Sequence, residues 1–217
     1  MAWYTDPTDA YDHGILGDAL EPTRLHVWSV ATSAQCGLSV AAGPGHVFED
    51  TAPRLADVDG DGRAEVIAVR TSLTKGAQLV VYAVRGDGLR LIATTPYIGQ
   101  PHRWLAPVAA ADLDGDGRVE IAYVDRPHLA KVLRVWRWTG SGLREVAAAE
   151  GVTVHRIGET DIAGGLRDCG AGPEMVVASG DWSRLLAVRL SGDRLAARPI
   201  GRDTSRPAFA RALACRD

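Results

Sequence analysis

The sequence predicts an all-β protein: a single β-propeller over residues 1–217, with four blades of mostly four antiparallel strands. Two observations lead there. An acidic nine-residue word occurs twice, and each copy is followed by the same order of strand-like runs. The first copy is Asp57-Val58-Asp59-Gly60-Asp61-Gly62-Arg63-Ala64-Glu65 and the second is Asp112-Leu113-Asp114-Gly115-Asp116-Gly117-Arg118-Val119-Glu120. A third observation is negative: no stretch carries a sustained amphipathic helical period, and residues 208–214 come nearest.

Anchored on these words, the chain divides into units at about residues 13–52, 53–101, 102–152 and 153–203, with a tail at 204–217. The first unit opens at His13 and is expected to hold a strand over residues 23–30. Residues 5–12 are expected to join the last blade or the ring exterior. In the second unit the acidic loop runs into a strand at 65–70, a second at 77–84, a turn at Gly86-Asp87-Gly88 and a third strand at 89–93. The third unit repeats this with strands at 120–124, 131–138 and 143–147 and a turn at Gly140-Ser141-Gly142. The fourth keeps strands at 173–178 and 183–190, but its loop at 161–170 has lost the alternating acids. Glycine-rich turns between β-branched runs are the hairpin signature. A propeller blade has this length and strand number, and no polar linker separates two domains.

Composition narrows the function classes. Net charge is −3, and lysine is confined to Lys75 and Lys131. The arginines are scattered, so no basic stripe for nucleic acid exists. No segment is apolar for the length of a bilayer. Residues 1–6 show neither a basic region nor an apolar run, so the chain as given opens without a signal peptide. Of the three cysteines, Cys169 and Cys215 are expected to pair and tie the last blade to the C-terminus, leaving Cys36 over. Together with oxygen-ligand loops of moderate affinity, this favours a periplasmic or extracellular location.

The acidic loops predict two calcium ions. Calcium takes six to eight oxygens in flexible geometry, and carboxylates at loop positions one, three and five converge on one side of a tight turn. Asp57, Asp59, Asp61, the Arg63 carbonyl and Glu65 form one set; Asp112, Asp114, Asp116, the Arg118 carbonyl and Glu120 form the other. An EF-hand needs flanking helices and a bidentate glutamate at position twelve, where this chain has Ala68 and Tyr123. Magnesium, with its compact octahedron, suits the loops less well.

These two words, each followed by an apolar strand, resemble the FG-GAP or VCBS repeats, the calcium-binding propeller repeats also seen in integrin α-subunits. The resemblance implies that each loop joins the first two strands of a blade and holds calcium in a structural role, through the ten positions just named. It covers the middle units closely, residues 174–192 less so, and the segment before Asp50 weakly. The Phe-Gly and Gly-Ala-Pro words of that family are absent here.

Beyond the loops, His102-Arg103-Trp104 and His155-Arg156-Ile157 recur at similar unit positions and, with His13, define a candidate ligand face. The plainer reading of these residues is repeat packing. Trp28, Tyr82, Trp136, Trp138 and Trp182 fall in equivalent strands and read as inter-blade packing. Trp3, Tyr4, Tyr11, Tyr97 and Trp104 lie nearer connections, where they suit a sugar or peptide. No zinc spacing, nucleophile elbow or phosphate loop occurs. The function expected is a non-catalytic binding or structural module for a protein or glycan partner. The alternative is a carbohydrate-binding or glycoside-cleaving protein drawing on Asp125, Glu159, Asp168 and Asp181.

Overall fold

The computed structural model describes residues 1–28 and 37–216; Ser29, Val30 and Cys36, to which expectations attached, lie outside them. The described residues are almost wholly β, in four antiparallel sheets that follow chain order. The first sheet contains β1 (Ala2–Thr8), β2 (Glu21–Val27) and β3 (Leu38–Ala41) in that order. The second contains β4 (His46–Phe48), β5 (Arg54–Ala56), β6 (Glu65–Ser72), β7 (Gly76–Arg85) and β8 (Gly88–Thr94). There β4 and β5 pair with opposite ends of β6, so they act as one strand broken at Glu49–Pro53.

The third sheet, β9 (Leu105–Ala111), β10 (Glu120–Asp125), β11 (Val132–Trp138) and β12 (Leu143–Glu150), is a continuous meander. The fourth contains β13 (Val152–Thr153), β14 (Gly165–Asp168), β15 (Pro173–Ser179), β16 (Leu185–Ser191) and β17 (Arg194–Gly201), and again its first strand is split, with β13 and β14 both on β15. A helix, α1 (Arg206–Leu213), follows; the Ser205 hydroxyl caps it by accepting from the Ala208 amide at 3.4 Å.

Residues 2–8 form β1 and pair with β2, so the N-terminal segment is an edge strand of the first sheet and does not join the last one. Local pairing across a short connection costs less chain entropy than reaching the far end of the chain.

Alternation along the strands explains how the sheets stack. On β6 and β7, Val66, Ala68, Val80 and Tyr82 face the first sheet and, with Phe48 of β4, meet Leu25, Val27 and Leu38. Ile67, Val69, Leu79 and Val81 point the other way, into a core shared with the third and fourth sheets. The fourth sheet repeats the device: Met175 and Val177 enter that common core, while Val176, Ala178 and Leu185 on the opposite face pack against Phe209, Ala208 and Ala212 of α1. Burying the Phe209 ring contributes about 2 kcal/mol. In a closed four-blade ring this face would meet the first sheet; here α1 covers it. The first unit reaches the fourth through its loop, where the Gly158 amide donates to the Ile15 carbonyl at 3.2 Å.

One turn admits only glycine. Gly76 has φ +72°, and a Cβ there would lie 2.2 Å from the Gln100 carbonyl oxygen, where the turn into β7 meets the chain entering the third unit. A disulfide joins Cys169 to Cys215, fastening the end of α1 to the turn after β14.

Candidate metal loops and a histidine-lined cavity

Both acidic words fold as tight loops between the first and second strands of their sheets. In the first, Asp57 turns inward and accepts the Gly60 and Gly62 amides, each at 2.9 Å. Asp59 accepts the Asp61 amide at 3.2 Å and Asp61 accepts the Arg63 amide at 2.9 Å. Glu65, buried at the start of β6, accepts the Val58 amide at 2.9 Å and the Asp59 amide at 3.3 Å. Asp57 thus has both oxygens engaged by loop amides, and Asp59, Asp61 and Glu65 one each. Carboxylate oxygens of Asp57, Asp59 and Asp61 all lie within 4.8 Å of one another.

The second loop repeats this wiring. Asp112 accepts from Gly115 at 2.7 Å and Gly117 at 2.9 Å, Asp116 from Arg118 at 2.9 Å, and Glu120 from Leu113 at 2.9 Å. Its converging set differs, being Asp112, Asp114 and Glu120. The reason is Arg137, which lies opposite Glu120 in the β10–β11 ladder. Its guanidinium bonds Glu120 and Asp114, the latter at 2.6 Å, and stands 3.4 Å from Asp116. The corresponding arginine of the first loop, Arg85, sits farther out. It is 40% exposed against 12% for Arg137, and bonds Asp59 at 2.6 Å and Asp61 at 3.4 Å without reaching Glu65. Burial pushes the Glu65 and Glu120 carboxyls above their ordinary values, against the pull of their amide donors and, for Glu120, of Arg137.

The fourth unit shows the end of this series. Residues expected to form a third loop are partly strand, and the remaining turn is short. Asp168 keeps the role of Asp57, accepting from Gly170 at 2.8 Å and Gly172 at 3.1 Å. Glu174 keeps the place of Glu65 and Glu120 at the start of the next strand. It is held by Arg167, Arg189 and Arg198, at 3.2, 3.1 and 2.8 Å. Burial would raise its carboxyl, but the arginines prevail and hold it below the ordinary range.

At the other end of the third sheet lies a cavity of about 190 Å³. Glu120 pairs with Ala111 and Asp125 with Leu105, so loop 112–120 and the segments entering β9 and leaving β10 are at opposite ends of the same strands. His13, His102, Arg103, Trp104, Arg126, His128, Leu129 and Ile157 are among its lining residues. His13, His102, Arg103 and Trp104 of the anticipated ligand face therefore come together there, although His13 is distant in sequence from the other three.

His155 and Arg156 stand elsewhere. His155 is fully buried behind His128, and Arg156 lies flat on the Trp182 ring at 3.7 Å. Sequence reasoning missed Arg126, His128 and Leu129, brought in by the turn after β10; Ile157, from the loop before β14, belongs to the word His155-Arg156-Ile157.

The cavity's histidines are wired from behind. His13 Nδ1 pairs with the buried Glu49, whose second oxygen accepts from Thr71 at 2.8 Å. His102 Nε2 pairs with Asp12 at 3.1 Å. His155 Nε2 donates to the Glu159 carbonyl at 2.8 Å, so its Nδ1 is free to accept from His128 Nε2 at 3.1 Å. That order requires the His155 ring to be neutral. Burial favours this by lowering His155, and it also lowers His128, to about 4. His128 Nδ1 is then a lone-pair acceptor. Backbone strain gathers at the same place: His102 and Arg126 adopt φ of +53° and +44°.

The other candidate residues have structural engagements. Asp125 is clasped by Arg126 and Arg134, and Glu159 by Arg206. Asp168 and Asp181 cap turns, the latter accepting from Ser179 Oγ at 2.6 Å. Trp104 and Tyr11 are buried, Trp104 donating its indole N–H to the Glu49 carbonyl at 2.8 Å. Tyr82 and Trp136 are buried between sheets, whereas Trp28 is exposed and Trp3 stacks on His26 at the outer surface.

Among known proteins, residues 57–123 match the FG-GAP-like repeat, a span from the first acidic loop through the strand after the second and less than half the chain. This is distant kinship to integrin-type propeller repeats. No curated protein matches the chain.

Proposed function

We propose that this protein is a calcium-stabilised repeat module of the β-propeller type, non-catalytic, exported, and using the histidine-lined end to meet its ligand. The observation that carries the reading is the duplicated convergence of carboxylates, Asp57/Asp59/Asp61 and Asp112/Asp114/Glu120, inside loops of similar wiring. Hard oxygen donors without nitrogen or sulfur suit calcium. Asp57, Asp59, Asp61 and Glu65 would hold one ion, and Asp112, Asp114, Asp116 and Glu120 the other. Each ion would tie the first strand of a sheet to the second, a structural role remote from the cavity. The Cys169–Cys215 disulfide agrees with an oxidising compartment. Among the described residues, no helix is long and apolar enough to cross a membrane.

Metal analysis of the purified protein, with thermal unfolding in calcium and in chelator, tests the proposal. The expected result is a stoichiometry near two and a Tm higher in calcium by several degrees, as mass action on a folded-state ligand requires. Absence of both bound metal and a shift overturns it.

A further inference from the structure

We infer that the histidine-lined cavity binds a small monocarboxylate carrying a short apolar arm, with Arg103 as the carboxylate receptor and Leu129 and Ile157 gripping the arm. This rests on the reading that the cavity end is the ligand face, and adds the chemistry of what it takes.

The charges around the cavity select the anion. Arg126 is neutralised by two bonds to Asp125, at 2.9 and 3.0 Å. His13 is matched to Glu49 and His102 to Asp12. His128 and its partner His155 are neutral. Arg103 alone is unbalanced: it donates to the His102 carbonyl at 2.7 Å and has no acidic partner among the described residues. A guanidinium without an acidic partner is open to one, and its planar fork matches a carboxylate through paired hydrogen bonds.

The rest of the wall selects the arm. Leu129 and Ile157 are 64% and 70% exposed, unusual for large aliphatic side chains, and both border this cavity with buried Ile15 and Trp104 beyond them. Sugars fit poorly, because Trp104 is buried edge-on against His155 and offers no open ring face. A cavity of about 190 Å³ has room for a small molecule or the last residue of a peptide.

The test uses 4-methylpentanoate and its neutral counterpart 4-methylpentanamide, titrated into the intact, calcium-loaded protein. Binding is read by calorimetry and by the imidazole NMR signals of His102 and His128. Saturable binding of the acid is expected near about 1 mM or tighter, with the amide weaker by about tenfold. Arg103→Gln is expected to remove that preference while leaving the amide unchanged, and Ile157→Asp to weaken both; Tm and the calcium stoichiometry verify that each variant folds.

Equal affinity for acid and amide, or undiminished acid binding by Arg103→Gln, overturns the assignment of class. A panel of neutral and cationic fragments separates the two levels. If some of these move the imidazole signals saturably and the acid does not, the chemistry is wrong and the ligand face stands. If no compound does, both fail, while the calcium measurement stands apart.

Discussion

Loops 57–65 and 112–120 share one sequence word and one pattern of amide bonds, yet their electrostatics differ. In the first, an exposed Arg85 touches the outer acids and leaves Glu65 to its backbone donors. In the second, Arg137 is driven among the acids and reaches Glu120 at the bottom. Glu174 marks the limit, where three arginines gather round a loop stripped of its acids. The comparison teaches that a buried strand-start glutamate requires positive charge, supplied by a cation, an arginine or both. The more completely arginine supplies it, the less a cation gains by entering.

The largest effect expected from this is on the metal-free protein. Arg137→Gln strands Glu120 and should cost about 3 kcal/mol. That lowers Tm in chelator by roughly 6–12 °C, and saturating calcium should recover most of it. Arg85→Gln, removing an exposed partner, should cost under about 1 kcal/mol. Equal losses in the two variants would abolish the distinction between the loops.

Next in size is cation affinity. With the other loop silenced by Asp57→Asn or Asp112→Asn, calcium titration should find the first loop tighter. Arg137→Gln should then tighten the second loop about tenfold, and Arg85→Gln the first only about twofold, because the embedded guanidinium must be displaced.

The pH dependence extends the comparison to glutamates away from the loops. Glu174 is depressed, so its contribution is complete above the ordinary carboxylate range and is lost as pH falls through its lowered value. Glu174→Gln should therefore flatten the acid limb of a Tm–pH curve. Glu21 is buried near Glu49, Asp18 and Asp50, and burial followed by these charges raises it to about 8. Its sign is opposite: its contribution is complete below the unfolded value of 4.5 and is lost as pH rises towards 8. Glu21→Gln should raise Tm at pH 8 by an amount that shrinks as pH falls and vanishes by pH 4.5. A gain at both pH values would mean packing, not charge, decides at this position.

What the sequence made legible was local. The acidic words, the hairpin turns and the strands from Glu65 onward follow from periodicity and turn chemistry within a few residues, and the 46-residue Cys169–Cys215 link was readable because few cysteines compete. The pairing of residues 2–8 was hidden, since β1 alternates too weakly to declare a partner. So was the split of the first strand in the second and fourth sheets, which depends on where Glu49 and the 154–164 segment are needed in space. The cavity joins His13, His102, His128 and Ile157 from four separate turns, so local pattern could raise only the histidine-led words. Arg137 was readable in principle, opposite Glu120 in the hairpin register, but an arginine in an acidic repeat looks like ordinary surface charge until the ladder is drawn.

The C-terminal helix has a consequence for how the protein behaves in solution. It shields Val176, Ala178 and Leu185, a sheet face as apolar as those that join the other sheets. Its last turn is fastened by one disulfide, which in the chain-entropy picture stabilises the fold by about 4 kcal/mol for a loop of this length. Reduction should therefore loosen the seat of α1 over this apolar face. Reduced preparations should then grow in apparent mass with concentration on sizing columns while oxidised ones do not.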